Sequence, residues 1–413
     1  MSSSRPASPA RVGSIDALRG LVMLTMVFVN DLAGAPAALV PEAMRHFHGK
    51  SGMTFVDLVF PAFLFVVGLS IPAALGSRLD RGTPAWRLVG HVSARTAWLL
   101  ALGILMVNGT PDSTRLGWSG TLWCTLMYAA AIVALGDFRS DDPADDSTRR
   151  TLVRILRLAG AVVLVLLALG YRGPQDERIL TLSPLTICTE WYGILGLIGW
   201  SYLIGCAVFL LFRNQQTALL GCMVLLLALY PADQTGLFAG TWLSRYVGIG
   251  GMLGAHPSIT VAGVLLGSVV TPPDRESAGT PVRFTLLLVL GCAAGAVLLH
   301  GLYGINKNLA TPSWCLWACA ITAILWLALD GLGRLPGLGW VLAPFALAGR
   351  NVLLAYLLSE MLPSLREIVG LGTWYGDLAT HSLAGAITRS AACALLVGAA
   401  TVGLNRVGFR VRL

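Results

Sequence analysis

Long apolar runs alternate with short polar ones along nearly the whole 413-residue chain. A helix needs about 17 to 25 mostly apolar residues to cross a bilayer. Runs at 17–34, 55–77, 87–107, 118–136, 152–171, 191–212, 216–232, 258–272, 284–304, 314–331, 340–362 and 387–405 meet that length or come near it. The pattern predicts an all-α, polytopic membrane helix bundle of about twelve transmembrane helices, in the range of about ten to twelve. The runs 216–232 and 258–272 are the weakest, short enough to be tilted or re-entrant. Residues 1–13 are polar and read as a tail, and residues 14–413 as a single transmembrane domain. The first apolar run is long enough to span, so it predicts a retained helix rather than a cleaved signal peptide.

Composition agrees. Hydrophobic residues make up 55% and charged residues only 12%, where a soluble domain carries about 25% charged residues. The net charge of +8 raises the question of nucleic acid, but the basic residues cluster in alternate loops. Arg5, Arg11 and Arg19, then Arg78, Arg81 and Arg87, then Arg139, Arg149, Arg150 and Arg154, and finally Arg406, Arg410 and Arg412 fall on one side if the span count is even. By the positive-inside rule that side, with both termini, is cytoplasmic. The partner implied is a lipid bilayer, not nucleic acid. The eight cysteines lie mostly in apolar segments with no CxxC pair, so they predict small core residues and no metal site. Cys188 is the exception, in a loop.

Polar groups at the edge of hydrocarbon are costly and usually mark function. They concentrate between the first two runs: Asn30 and Asp31 at the end of one, His46, His48 and Lys50 in the loop, and Asp57 at the start of the next. Each has a plainer reading. Asn30 suits a helix C-cap, Asp57 an N-cap, and a loop histidine can simply be solvated. Asp57 can also orient His48 in the manner of a catalytic triad. Arg350 and Asn351 lie about ten residues into the run 340–362, where a charge is expected to face the bundle interior. Asp16 and Arg19 are spaced to pair along one helix.

Several stretches resemble a known family. SIDALRG, MVFVND, a following histidine and GMTFVDLVFPAFLFVVG, with INKNLATPSW and GRNVLLAYLLSEML far downstream, are similar to the transmembrane acetyltransferases related to heparan-α-glucosaminide N-acetyltransferase, which include bacterial inner-membrane members. The matches keep their order and reach both ends of the membrane domain. The resemblance implies acetyl-CoA as donor and an amino sugar, glucosamine or a glucosamine-containing saccharide, as acceptor. It places the essential histidine in the loop, at His48 or at His46 two residues away, with His48 preferred. Imidazole can take a proton from an attacking amine, or carry the acetyl group itself. Asn30 matches the family's asparagine after MVFV and can hold the imidazole or donate to the oxyanion of acyl transfer. Asn351 matches a Gly-x-Asn pattern in the downstream segment.

With that family in view, Asn306, Lys307 and Asn308 become candidates to hydrogen-bond sugar hydroxyls, and Trp314 to stack on a sugar face. Arg19 and Arg350 become candidates for coenzyme A, since an Arg fork suits phosphate. The expected protein is an acetyl-CoA-dependent N-acetyltransferase of the bacterial inner membrane, taking the donor from the cytosol and the acceptor from the periplasm. The rival reading is an amino-sugar or small-molecule permease without acyl transfer. Against it stand the chemistry gathered in one outer loop and the lack of broken helices at matching positions in two halves. Small residues, Met and Trp on the helices leave room for a homodimer without specifying one.

Overall fold

The computed structural model describes residues 13–138, 146–213, 215–271 and 279–411. The polar tail through residue 12, with Arg5 and Arg11, and the positions of Arg139 and Arg412 lie outside the described residues.

The chain is a multi-pass, all-α membrane protein. The helices are α1 (Gly13–Leu32), α2 (Val56–Ile71), α3 (Ser77–Asp80), α4 (Ala85–Val107), α5 (Ser113–Leu116) and α6 (Gly120–Leu135). Next come α7 (Asp146–Gly170), α8 (Ile194–Phe212), α9 (Gln216–Gln234), α10 (His256–Val270) and α11 (Gly279–Tyr303). The last are α12 (Pro312–Arg334), α13 (Gly339–Ala348), α14 (Val352–Ile368), α15 (Gly372–Asp377) and α16 (Leu383–Arg406). Two antiparallel ribbons join β1 (Gly136–Phe138) to β4 (Phe409–Val411) and β2 (Leu180–Leu182) to β3 (Leu185–Ile187). Every expected span falls on a helix. Among the described residues, ten helical segments are long and apolar enough to cross a bilayer. The helix α1 and the 16-residue α6 are not among those ten.

The chain divides into two compact units. One comprises the chain through Val22, Phe47–Thr96 and Trp200–Gly349; the other comprises Met23–His46, Ala97–Gly199 and the chain from Arg350.

In the first unit α10 packs against α2, α9, α11 and α12, and every residue of α10 is buried. Two glycines set its closest crossing. A Cβ on Gly68 would lie 1.9 Å from the Thr260 carbonyl oxygen, and one on Gly263 would lie 2.0 Å from that of Phe65. Only glycine lets the two backbones meet there. Thr260 Oγ1 then donates to the Leu64 carbonyl at 3.2 Å. The expectation of a weak span at 258–272 is therefore corrected. A π-helical stretch, Ile249–Ala255, lengthens α10 into a 22-residue segment that is the most enclosed of the ten. It reads as weak because Gly, Ser and Thr add little hydropathy, and they are there to pack against protein rather than lipid. The other doubtful run is a regular 19-residue helix, α9.

In the second unit α14 packs against α6 and α16, and α6 against α7. All eight cysteines are free, and six are buried. Cys188 is half-buried in a loop, as expected.

The run 340–362 is not one continuous helix. A short 3-10 stretch, Gly349–Asn351, separates α13 from α14. Arg350 is exposed at this break, and does not face a bundle interior as its depth in the apolar run suggested. Asn351 is buried, and both ends of its amide are used within the second unit. Its Nδ2 donates to Asn405 Oδ1 at 3.0 Å, and its Oδ1 accepts from the Val411 amide at 3.2 Å.

Candidate functional site

The histidine loop belongs to the first unit from Phe47 onward, and Asp57 organises it. Asp57 stands in the first turn of α2 and its side chain is 1% exposed. Its Oδ2 accepts from the Phe47 amide at 3.0 Å, the Thr54 amide at 3.1 Å and Thr54 Oγ1 at 3.3 Å. With Thr54 three residues upstream this is one half of a capping box, the acid reaching back to the backbone amide before the helix. Lys307 Nζ pairs with Oδ1 at 3.2 Å. One carboxylate thus caps a helix, fixes the backbone between the two histidines, and draws in a cation from a loop some 250 residues away.

That second loop is tied on further. The Gly52 amide donates to the Ile305 carbonyl at 2.8 Å, and the Ile305 amide to Ser51 Oγ at 3.0 Å. Asn306 Nδ2 reaches the Lys50 carbonyl at 3.5 Å, while its Oδ1 accepts from the Leu309 amide at 3.1 Å. Asn306 therefore shapes its own loop as well as holding the histidine loop. Asn308 is exposed.

His48 is exposed and His46 half-buried. Among the described residues, no hydrogen bond joins His48 to Asp57. Asp57 holds the Phe47 amide, next to His48 in the chain. Asp57→Ala would free the Phe47 and Thr54 amides and leave Lys307 without that counter-charge. Hydrogen exchange at those two amides is expected to quicken about tenfold or more, with α10 amides unchanged. Unaltered protection would show that the loop holds its shape without the carboxylate.

Trp314 is fully buried in the first turn of α12, edge-on to His256 with ring centroids 6.0 Å apart. It does not present a face to solvent, as a sugar platform must. The stacking role expected for Trp314 placed it with the polar loop it follows, but α12 begins at Pro312 and carries the ring into the core. Arg19 is engaged within the first unit. It donates to Asp16 Oδ1 at 3.1 Å, to the Gly349 carbonyl at 3.3 Å and to Ser70 Oγ. The local Asp16 pair expected from the spacing is present.

In the second unit, Asn30 Nδ2 donates to Glu360 Oε1 at 3.2 Å. Glu360 lines a cavity of about 150 Å³ with Gly103, Met106, Val107, Tyr128 and Tyr356. The sequence reading passed over Glu360, although one acid in the apolar run VLLAYLLSEML was a usable signal. It also undervalued Asp31, the hub of a second cluster. Asp31 Oδ2 accepts from Arg389 Nε at 3.1 Å and Ser390 Oγ at 2.8 Å, and Oδ1 from the Tyr375 hydroxyl at 2.8 Å. Arg389 Nη2 also donates to the Asp31 carbonyl at 2.6 Å, and Arg366 lies 3.6 Å from Oδ1. The Arg366 and Arg389 guanidiniums sit 3.6 and 4.9 Å from the centroid of the Tyr375 ring. Burial, with donation to Asp31, holds the Tyr375 phenol above its ordinary pKa, so it remains a donor.

The model described as Domain of unknown function (DUF5009) matches residues 11–171. The chain is also similar to heparan-alpha-glucosaminide N-acetyltransferase of Homo sapiens, 26% identical over 378 residues that cover 86% of this chain and 53% of the human one. The Mus musculus protein of the same name is 33% identical over 119 residues, 28% of this chain and 17% of the mouse one. The chain spans about half the length of the human relative. Taken with the ordered motifs, these similarities support, for this chain, the acetyltransferase-like transmembrane family of heparan-α-glucosaminide N-acetyltransferase.

Proposed function

We propose that this protein is a membrane-embedded N-acetyltransferase of a bacterial inner membrane. It moves an acetyl group from cytosolic acetyl-CoA to the amino group of glucosamine, or of a saccharide containing it, on the periplasmic side. His48 is the base. As the neutral acceptor amine attacks the thioester carbonyl, His48 takes its proton, the C–S bond breaks, and the proton passes from His48 to the departing thiolate, which leaves as the free thiol of coenzyme A. Asn30 has a second amide hydrogen besides the one given to Glu360, and that hydrogen serves the oxyanion. Asp57 and Lys307 hold the histidine loop. Asn306 and Asn308 stay with the acceptor, and Arg19 and Arg350 with the donor, as assignments to be tested; the Asn351 amide, engaged by Asn405 and Val411 at the ribbon β1–β4, is withdrawn from the acceptor.

The observation that carries the reading is the His48 imidazole, exposed beside a backbone amide that Asp57 fixes at 3.0 Å. The similarity to the human N-acetyltransferase across most of the chain supports the reaction class. Two pairings agree with the sides that the span count gives these segments, whichever side is cytoplasmic. The ribbon β1–β4 joins two segments expected on the cytoplasmic side, and the Gly52–Ile305 contact joins two loops expected outside.

Purified protein in detergent, given radiolabelled acetyl-CoA and glucosamine, is expected to yield the labelled N-acetyl sugar. No transfer to any of a panel of amino sugars, together with saturable uptake of the sugar into proteoliposomes, would replace this reading with the permease.

A further inference from the structure

The carboxylate of Glu360 has no role in what is described so far. It stands in α14, half-buried, and among the described residues it accepts one hydrogen bond, from Asn30 at Oε1, and forms no ion pair. A carboxylate in an apolar span is expensive unless a cation or a proton meets it. The space beside it is preformed. The cavity measures about 150 Å³, a volume that accommodates benzene when lined by apolar side chains. Its walls are apolar at Met106, Val107, Ile194 and Leu195 and aromatic at Tyr128 and Tyr356.

We propose that this cavity is a subsite for a primary ammonium group, with Glu360 as its counter-ion. Asn30 holds Oε1 and so turns the carboxylate, leaving Oε2 for the ligand. Tyr128 and Tyr356 line the same space, and aromatic rings there can attract a desolvated cation. The apolar walls suit the carbon skeleton beside the amine. A carboxylate, two tyrosines and a ring-sized space select a cationic amine over its neutral hydroxyl or acetylated counterpart, because only the cation offsets the half-buried charge. Under the acetyltransferase reading, on which this deepening rests, the subsite binds the acceptor before transfer and rejects the amide product.

The test uses the full chain in lipid nanodiscs without acetyl donor. Glucosamine binding is measured by calorimetry, with glucose and N-acetylglucosamine as neutral controls. Wild type is expected to bind glucosamine at least about tenfold more tightly than either control, and Glu360→Gln to erase that difference. Absence of amine preference in wild type, or a preference kept by Glu360→Gln, overturns the subsite. If that variant does not fold, wild type serves alone. A carbodiimide is expected to label the peptide bearing Glu360, and glucosamine, not glucose, to protect it; equal labelling with both sugars overturns the proposal. The two readings fail separately. Amine binding through Glu360 without acetyl transfer removes the enzyme and keeps the subsite. Acetyl transfer whose KM for glucosamine is unmoved in Glu360→Gln removes the subsite and keeps the enzyme.

Discussion

Replacing His48 with alanine is expected to lower the rate of acetyl transfer to glucosamine by about 10²- to 10⁴-fold, the usual contribution of a positioned base. The His48 side chain is exposed and forms none of the hydrogen bonds that fix the loop. Those are donated by the Phe47 and Thr54 amides to Asp57. The His48→Ala protein should therefore keep its melting temperature and its loop, and lose only the chemistry. His46→Ala is the paired control, because His46 is half-buried and two residues away. Initial rates with labelled acetyl-CoA decide the matter. A large loss in His46→Ala with near-normal turnover in His48→Ala would move the base to His46. Normal turnover in both would place the base outside this loop.

The largest loss of stability is expected from the Asp31 cluster. The side chains of Asp31 and Arg389 are only 7% and 5% exposed. Asp31→Ala leaves Arg389 and Ser390 without their carboxylate acceptor and the Tyr375 hydroxyl without its partner. Removing one member of a buried pair costs about 3–5 kcal/mol, because the other charge stays behind. Arg389→Ala is expected to cost a similar amount, and the double variant clearly less than the sum. Denaturant titration in mixed micelles reads all three. Additive losses would mean that the two residues act independently despite their 3.1 Å contact.

Much of the fold was legible in the sequence. Hydropathy located every long helix, since a backbone in lipid must satisfy its own hydrogen bonds. It misjudged places where packing, not lipid, selects the residues. The segment ending in α10 looked feeble because Gly263 and Thr260 were chosen for contact with Phe65 and Leu64. The run 340–362 reads as one span because the polar triplet Gly349–Asn351 fits groups facing a bundle interior as well as it fits a break, and only the structure shows the interruption that exposes Arg350. In the candidate site, motif order pointed to Asn30, the histidine loop, Asp57 and the INKN segment. Spacing alone could not say that Asp57 meets the Phe47 amide and Lys307, or that Trp314 turns inward. Such pairings join residues as far apart as Asp57 and Lys307, and local pattern carries no information at that range. The Asn30–Glu360 bond is hidden for the same reason.

The burial of α10 bears on how the chain is made. A helix whose residues all face protein has little of its own to offer the bilayer during synthesis. Its principal partner, α2, leaves the ribosome nearly two hundred residues earlier. Until α10 arrives, the Gly68 face of α2 waits uncovered, open to lipid or to any assembly factor that shields nascent spans. With a cysteine introduced on that face, a ribosome-stalled chain ending near residue 245 should react with a thiol probe, and one ending past Val270 and clear of the translocon should not. Maturation of the first unit is thereby delayed until the chain is well past its midpoint.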